Sequence, residues 1–203
     1  MQKLNFAYRA CCVFLCALAL SSLTGCANFY VDTGLKDLKS EQIKKAESPK
    51  PVQLLFEFQS KGATNPRATE NLKSKVAELV RSSGLFSEVG EAPVANGAML
   101  NLIVNNVPIT DNAFGKGFVT GFTFGLAGNT VTDGYLCTVE YVSGPGAAKI
   151  TKTVRHAIHT TVGAEKAPAN AEKSETIADA VNKMMRQIVN NALNEISTDA
   201  AFK

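Results

Sequence analysis

The stretch CCVFLCALALSSLTGCANFY, Cys11 to Tyr30, constrains this chain most, because it decides where the foldable part begins. Met1 to Arg9 carries Lys3 and Arg9 and no acid. Ala10 to Leu20 is uncharged and apolar, and Ser21, Ser22, Leu23, Thr24, Gly25 and Cys26 follow. A basic start, an apolar segment of about 7–15 residues and a small-residue exit describe a secretory signal peptide. A spanning helix needs about 20 apolar residues to cross roughly 30 Å of hydrocarbon, and this run is too short. Residues 1–25 are therefore read as a signal peptide that takes no part in the fold.

Leu23-Thr24-Gly25-Cys26 resembles the lipobox of bacterial lipoproteins, in which Leu and two small residues precede an obligatory Cys. The resemblance implies a diacylglycerol on the Cys26 sulfur, cleavage before Cys26 and acylation of the new α-amine. It implies a chain anchored by lipid instead of spanning the bilayer. Ala27 follows the lipidated position. In enterobacteria-like lipoproteins an Asp there favours the inner membrane, so this resemblance points to the outer membrane, with the domain facing the periplasm. Cys11, Cys12 and Cys16 leave with the signal peptide and Cys26 is consumed by lipid, which leaves Cys137 alone. One cysteine makes no intramolecular disulfide. In the strand-like run GYLCTVEYV it reads as a buried structural thiol.

The remaining chain suits one domain of ordinary size. All 18 acids follow Cys26, while two of the 21 bases precede it; 19 bases against 18 acids leave about +1. That balance gives no reason to expect nucleic acid or an acidic polymer as partner. With no Trp and 7% aromatics, no stacking platform for bases or sugars is apparent.

Residues 27–51 are charged, low in large apolar side chains and end in Pro-Lys-Pro, which reads as a tether. Fully extended, about 24 residues reach roughly 80 Å. Alternatively Leu35, Leu38 and Ile43 form a short helix against the domain. The expected organisation is a signal peptide at 1–25, a lipidated cysteine and tether at 26–51, and a single periplasmic α+β domain at 52–203.

Within that domain Val52, Leu54, Phe56 and Phe58 alternate with polar residues, the pattern of a half-buried strand. Asn65-Pro66 opens a helix, with Asn as N-cap and Pro at the first helical position. Leu72, Val76, Leu79 and Val80 form its stripe, and Gly84 is placed for a left-handed C-cap. A second strand carries Ala98, Leu100, Leu102 and Val104 on one face, GYLCTVEYV is a third, and a fourth places Ile150, Val154, Ile158 and Val162 inward. A helical stripe starts near Ser174 and runs through Ile177, Val181, Met184 and Ile188 to Ile196, wide enough to lie across a sheet. The order is β-α-β-β-β-α, with a short extra strand also legible at Phe86–Val89. The predicted fold class is α+β: a mostly antiparallel sheet of about four strands with two helices packed on one face. The early strand-helix-strand with SGLFSEV resembles small periplasmic domains such as the N-terminal domain of TolB and the CsgG-type lipoproteins of curli secretion.

Few residues suggest chemistry. There is no nucleophile elbow, no GxGxxG after a strand and no P-loop, so no catalytic residue or cofactor is expected. His156 and His159 are the only histidines. In a strand, residues three apart point to opposite faces, so His156 is read as inward, His159 as outward, and no metal site is expected. The unusual segment is FGKGFVTGFTFGLAGNTVTDG. Gly117, Gly121 and Gly125 repeat every four residues, as do Phe114, Phe118 and Phe122, with Phe124 beside them. A connection of this length is either tucked over the sheet edge or a contact element for a partner or the membrane. The expected function is a non-catalytic outer-membrane lipoprotein that binds another envelope protein or itself, held to the membrane through its N-terminal lipid. The alternative implied by the CsgG resemblance is an oligomeric secretion or pore component whose segment 114–128 contacts the bilayer. An enzyme with a site assembled only by folding is a third reading.

Overall fold

The computed structural model describes residues 27–95, 97–109, 130–163 and 166–202. Its centre is a set of long strands whose alternating sequences leave one face apolar: β2 (Lys50–Ser60), β5 (Met99–Ile109), β6 (Val131–Val142) and β7 (Ile150–Val162). Four short strands complete the sheet: β1 (Ala27–Asp32), β3 (Ala63–Thr64), β4 (Phe86–Gly90) and β8 (Ala171–Ser174). The spatial order is β3-β2-β5-β6-β7-β1-β8, and β4 also pairs with β2. β2 runs parallel to β4 and to β5, whereas every other pairing among the described residues is antiparallel.

This corrects the expectation of about four mostly antiparallel strands: the sheet is eight-stranded and mixed, while the α+β class stands. The parallel pairs follow from the helix between β2 and β5. A helical crossover returns the chain to the sheet end where the first strand began, so the next strand runs in the same direction. The additional strands are short, and β8 (AEKS) has no apolar alternation, so only pairing identifies it as a strand.

Both helices lie on one face. α1 (Pro66–Ser82) is capped by Asn65, whose side chain accepts from the Ala68 amide at 3.0 Å, with Pro66 at the first position. Gly84, at φ +66, supplies the left-handed turn out of the helix. α2 (Ile177–Ser197) starts three residues later than the sequence suggests, because Ala171–Ser174 is taken up by β8. Thr176 caps it by accepting from the Asp179 amide at 3.1 Å. Val52, Leu54, Phe58, Leu100, Leu102, Val104, Cys137, Val139, Val154 and Ile158 from the sheet meet Val76, Val80, Met184, Met185, Ile188, Ala192 and Leu193 from the helices in one core. Val162, expected inward, lies at the strand end and is exposed.

Residues 27–51 are not a tether. β1 is inserted between β7 and β8, pairing Ala27–Val31 with Val162–Ile158 and Phe29–Asp32 with Ser174–Ala171. Val31 is fully buried, and Leu38 and Ile43 are buried farther along. The segment between them, with one 3-10 turn at Ser40–Gln42, is a strap fastened to both helices. Asn190 Nδ2 donates to the Leu38 carbonyl at 2.8 Å and Asn191 Nδ2 to that of Lys36 at 2.7 Å. Arg186 grips Asp37 with two nitrogens, and Lys45 Nζ donates to the Ser83 carbonyl at 2.6 Å, at the end of α1. The lysines that make the segment read as a linker are exposed. The fold uses Val31, Leu38 and Ile43, the backbone, and the side chains of Asp37 and Lys45.

Candidate functional site

Strand register brings described residues that flank the sequence-predicted site positions to one end of the sheet. Ala27 opposes Val162, Val131 opposes Thr160, and Ile109 opposes Thr132. Ala27, which follows Cys26 in the sequence, therefore stands at the sheet end where β7 finishes, β5 finishes and β6 starts. Phe114, Gly117, Phe118, Gly121, Phe122, Phe124 and Gly125 lie outside the described residues, as does Cys26. The two residues that bracket the segment, Ile109 and Val131, both stand at that end. No periodicity announces this coincidence, because it depends on pairing between residues 23 to 135 positions apart in the chain.

The end is also where apolar surface is exposed. Val131, Val162 and Ile177 are 58%, 51% and 46% exposed, and Leu55 is the one other large hydrophobic exposed among the described residues. Ile177 opens α2, three residues after Ser174, which pairs with Phe29 near the start of β1. A mainly apolar groove runs inward from Ile177 between the two helix N-termini, over Phe58, Leu72, Tyr135 and Val181. Burial pushes the Tyr135 hydroxyl far above the ordinary tyrosine range, and the neighbouring Asp133 adds to this. Its phenol is thus a neutral group at any working pH.

A buried polar cluster crosses the neighbouring strands. Thr132 Oγ1 is 2.9 Å from His159 Nδ1, and His159 Nε2 is 3.6 Å from Asp32 Oδ2. Asp32 Oδ1 accepts from the Gly34 amide at 2.7 Å. Hydroxyl, imidazole and carboxylate in this order are the parts of a proton relay, yet Thr132 is 1% exposed and so sealed from a substrate. His159 does lie on the face opposite His156, as its spacing requires. It is not outward in the sense of being solvated: it is 2% exposed. His156 is buried on the helix face. Its Nδ1 accepts from the Ala157 amide at 2.8 Å, which leaves Nε2 as the protonated nitrogen that donates to Gln187 Oε1 at 2.7 Å. Burial holds its pKa below the ordinary histidine value, against the raising effect of that hydrogen bond.

Cys137 is fully buried in β6, and burial alone pushes its thiol up to about 12. Among the described residues no three His, Cys, Asp or Glu side chains converge as metal ligands, and no helix is long and apolar enough to cross a membrane. The latter says nothing of crossing by strands. The groove along α2 is charged but internally matched: Lys183 meets Glu172 at 2.6 Å, Arg186 meets Asp37, and Lys75 donates to Asn182 at 2.9 Å.

No protein-family model matches the chain, and no curated protein matches it. Several solved structures are similar in outline. A PelC dodecamer from Paraburkholderia phytofirmans aligns over 84% of this chain and 98% of that one, at 15% identity and a TM-score of 0.34. The rare lipoprotein B from Shewanella oneidensis aligns over 73% and 95%, at 12% identity and a TM-score of 0.38. A neuraminyllactose-binding hemagglutinin homolog from Helicobacter pylori aligns over 82% and 91%, at 11% identity and a TM-score of 0.40. The structures that this chain resembles thus include lipoproteins, at a similarity too low to carry an argument about its function.

Proposed function

We propose that this chain is a non-catalytic lipoprotein of the bacterial outer membrane, anchored through acyl chains on Cys26, with its domain in the periplasm acting as a binding or assembly module. The observation that carries the reading is the lipobox, Leu23-Thr24-Gly25-Cys26, at the end of an apolar run and directly before the first strand. Each buried methylene of an acyl chain contributes about 0.8 kcal/mol to membrane binding, so two or more chains hold a domain of this size firmly. No catalytic role is assigned, since the one relay-like cluster among the described residues is closed to substrate. The test is metabolic labelling with palmitate. The parent chain takes up label and is processed, whereas Cys26→Ser is neither labelled nor processed. Label on the Cys26→Ser protein refutes the assignment.

A second reading is an oligomeric secretion or pore component whose segment 114–128 contacts the bilayer. It is favoured by one structural observation: Ile109 and Val131, which flank the segment's connection, stand at the same sheet end as Ala27. The mass of the detergent-extracted protein separates the readings. A monomer supports the binding module, and a discrete ring supports the oligomeric component.

A further inference from the structure

We infer that the end of the sheet formed by Ala27, Val131, Val162 and the start of α2 is a membrane-resting face, which sets the domain upright on the bilayer with its long strands pointing away from it. The inference rests on the lipid-anchor reading and adds an orientation to it. Sheet pairing starts at Ala27, opposite Val162, and Ala27 directly follows Cys26, so no residue intervenes between the cysteine and the first strand. One step along the chain spans about 3.8 Å. An extended tether would leave the domain free to tumble away from the membrane, but a direct attachment does not.

The second observation is the surface found at that end. Val131, Val162 and Ile177 are all at least 46% exposed, and each begins or ends its element there. Val131 and Val162 occupy positions whose inward-facing relatives along β6 and β7 are core: Tyr135 and Cys137 continue the row of Val131, and Val154 and Ile158 that of Val162. Asp133 and Thr160 interrupt these rows, so Val131 and Val162 stand on the helix-side face beyond the end of the core, as separate apolar positions. Toward the opposite end of the strands, where β6 turns into β7 through Pro145 to Lys149, Leu55 is the one large hydrophobic exposed among the described residues, at 39%. Apolar side chains concentrated at the one end that a lipid must hold close to the acyl boundary fit a lipid surface, in which such groups are buried by about 5–10 Å.

The test uses the full lipidated protein in vesicles of phosphatidylethanolamine and phosphatidylglycerol carrying brominated acyl chains. Cysteine is placed singly at Val131, Val162 or Ile177 and coupled to an environment-sensitive fluorophore; Cys137 is buried and takes no label in the folded protein. Ala148, exposed in the distal turn, is the control, about 40 Å away along the 12 residues of β6. The expected result is a blue shift and bromine quenching at the three proximal sites, with an unchanged spectrum at position 148. Protein that floats with the vesicles but shows no quenching at the proximal sites overturns the resting face while the anchor stands. Energy transfer between proximal labels on different molecules, without quenching, assigns the face to a second copy and also overturns it. Failure to float overturns both readings.

Discussion

Replacing Val31 with Ala tests whether the N-terminal segment belongs to the fold. Val31 is fully buried, pairs with Ile158 on one side and Glu172 on the other, and belongs to the single core. The substitution removes two methyl groups, worth about 0.8 kcal/mol each in transfer free energy. The space left between two paired strands and α2 collapses only partly, which raises the expected loss to about 2–3 kcal/mol. With a urea slope of about 2–3 kcal/mol/M for a domain of this size, the unfolding midpoint falls by about 1 M. The assay is urea denaturation of the mature chain with Cys26 replaced by Ser, followed by circular dichroism, with Lys36→Ala as the exposed control in the same segment. Lys36→Ala should stay within about 0.5 kcal/mol of the parent, as surface changes do. A loss below about 0.5 kcal/mol for Val31→Ala refutes the insertion of β1, restores a tether and removes the reason for a fixed orientation at the membrane.

Three further outcomes are expected. His156 has a depressed pKa, so the unfolded chain binds its proton more readily. Stability is retained above about pH 6.5 and lost as pH falls from there through the folded value, by at most about 1.4 kcal/mol per pH unit. His156→Gln, which keeps a donor for Gln187, should flatten that slope in pH-dependent thermal melts, and an unchanged slope assigns the acid sensitivity elsewhere. Cys137, with its thiol pushed up to about 12 and fully buried, should resist a maleimide in the folded state and react fully in urea; rapid native labelling contradicts its place in the core. Replacing Phe118, Phe122 and Phe124 together with Ser should leave the melting temperature nearly unchanged while weakening partner binding or self-association. A loss of several kcal/mol, as buried aromatics would give, makes the segment core.

What the sequence revealed depended on how local the determinant was. Val52 to Phe58 and Ala98 to Val104 announce themselves as strands because alternation is written in consecutive residues. Asn65-Pro66 marks a helix start because the cap is made within four positions. β1 and β8 escaped because they are defined by partners rather than by pattern. Phe29 is matched by Ser174, 145 positions away, and Glu172 and Lys173 bring polar side chains to an edge where solvent takes them. Val31, Leu38 and Ile43 follow no period, so the charges around them dominated. The face occupied by His159 was legible from parity, but its burial was not, since that depends on Thr132 and Asp32 arriving from other strands. The resemblance to a lipobox at Leu23-Thr24-Gly25-Cys26 is likewise written in consecutive residues. That the neighbour of Cys26 starts the sheet, at the end where β6 begins and β7 finishes, emerged only from the register.

The insertion of β1 between β7 and β8 also has a consequence for the order in which the sheet is completed. The first described strand pairs with the seventh and the eighth: Ala27 meets Val162, 135 positions later. Closing so long a loop is slow and must await the distant partner. Until β7 and β8 have been added to the chain, β1 has neither neighbour and nothing to pair with. β5, β6 and β7 meet through much shorter loops. The topology thus makes the N-terminal strand, and the strap that follows it, the last part of the sheet to lock.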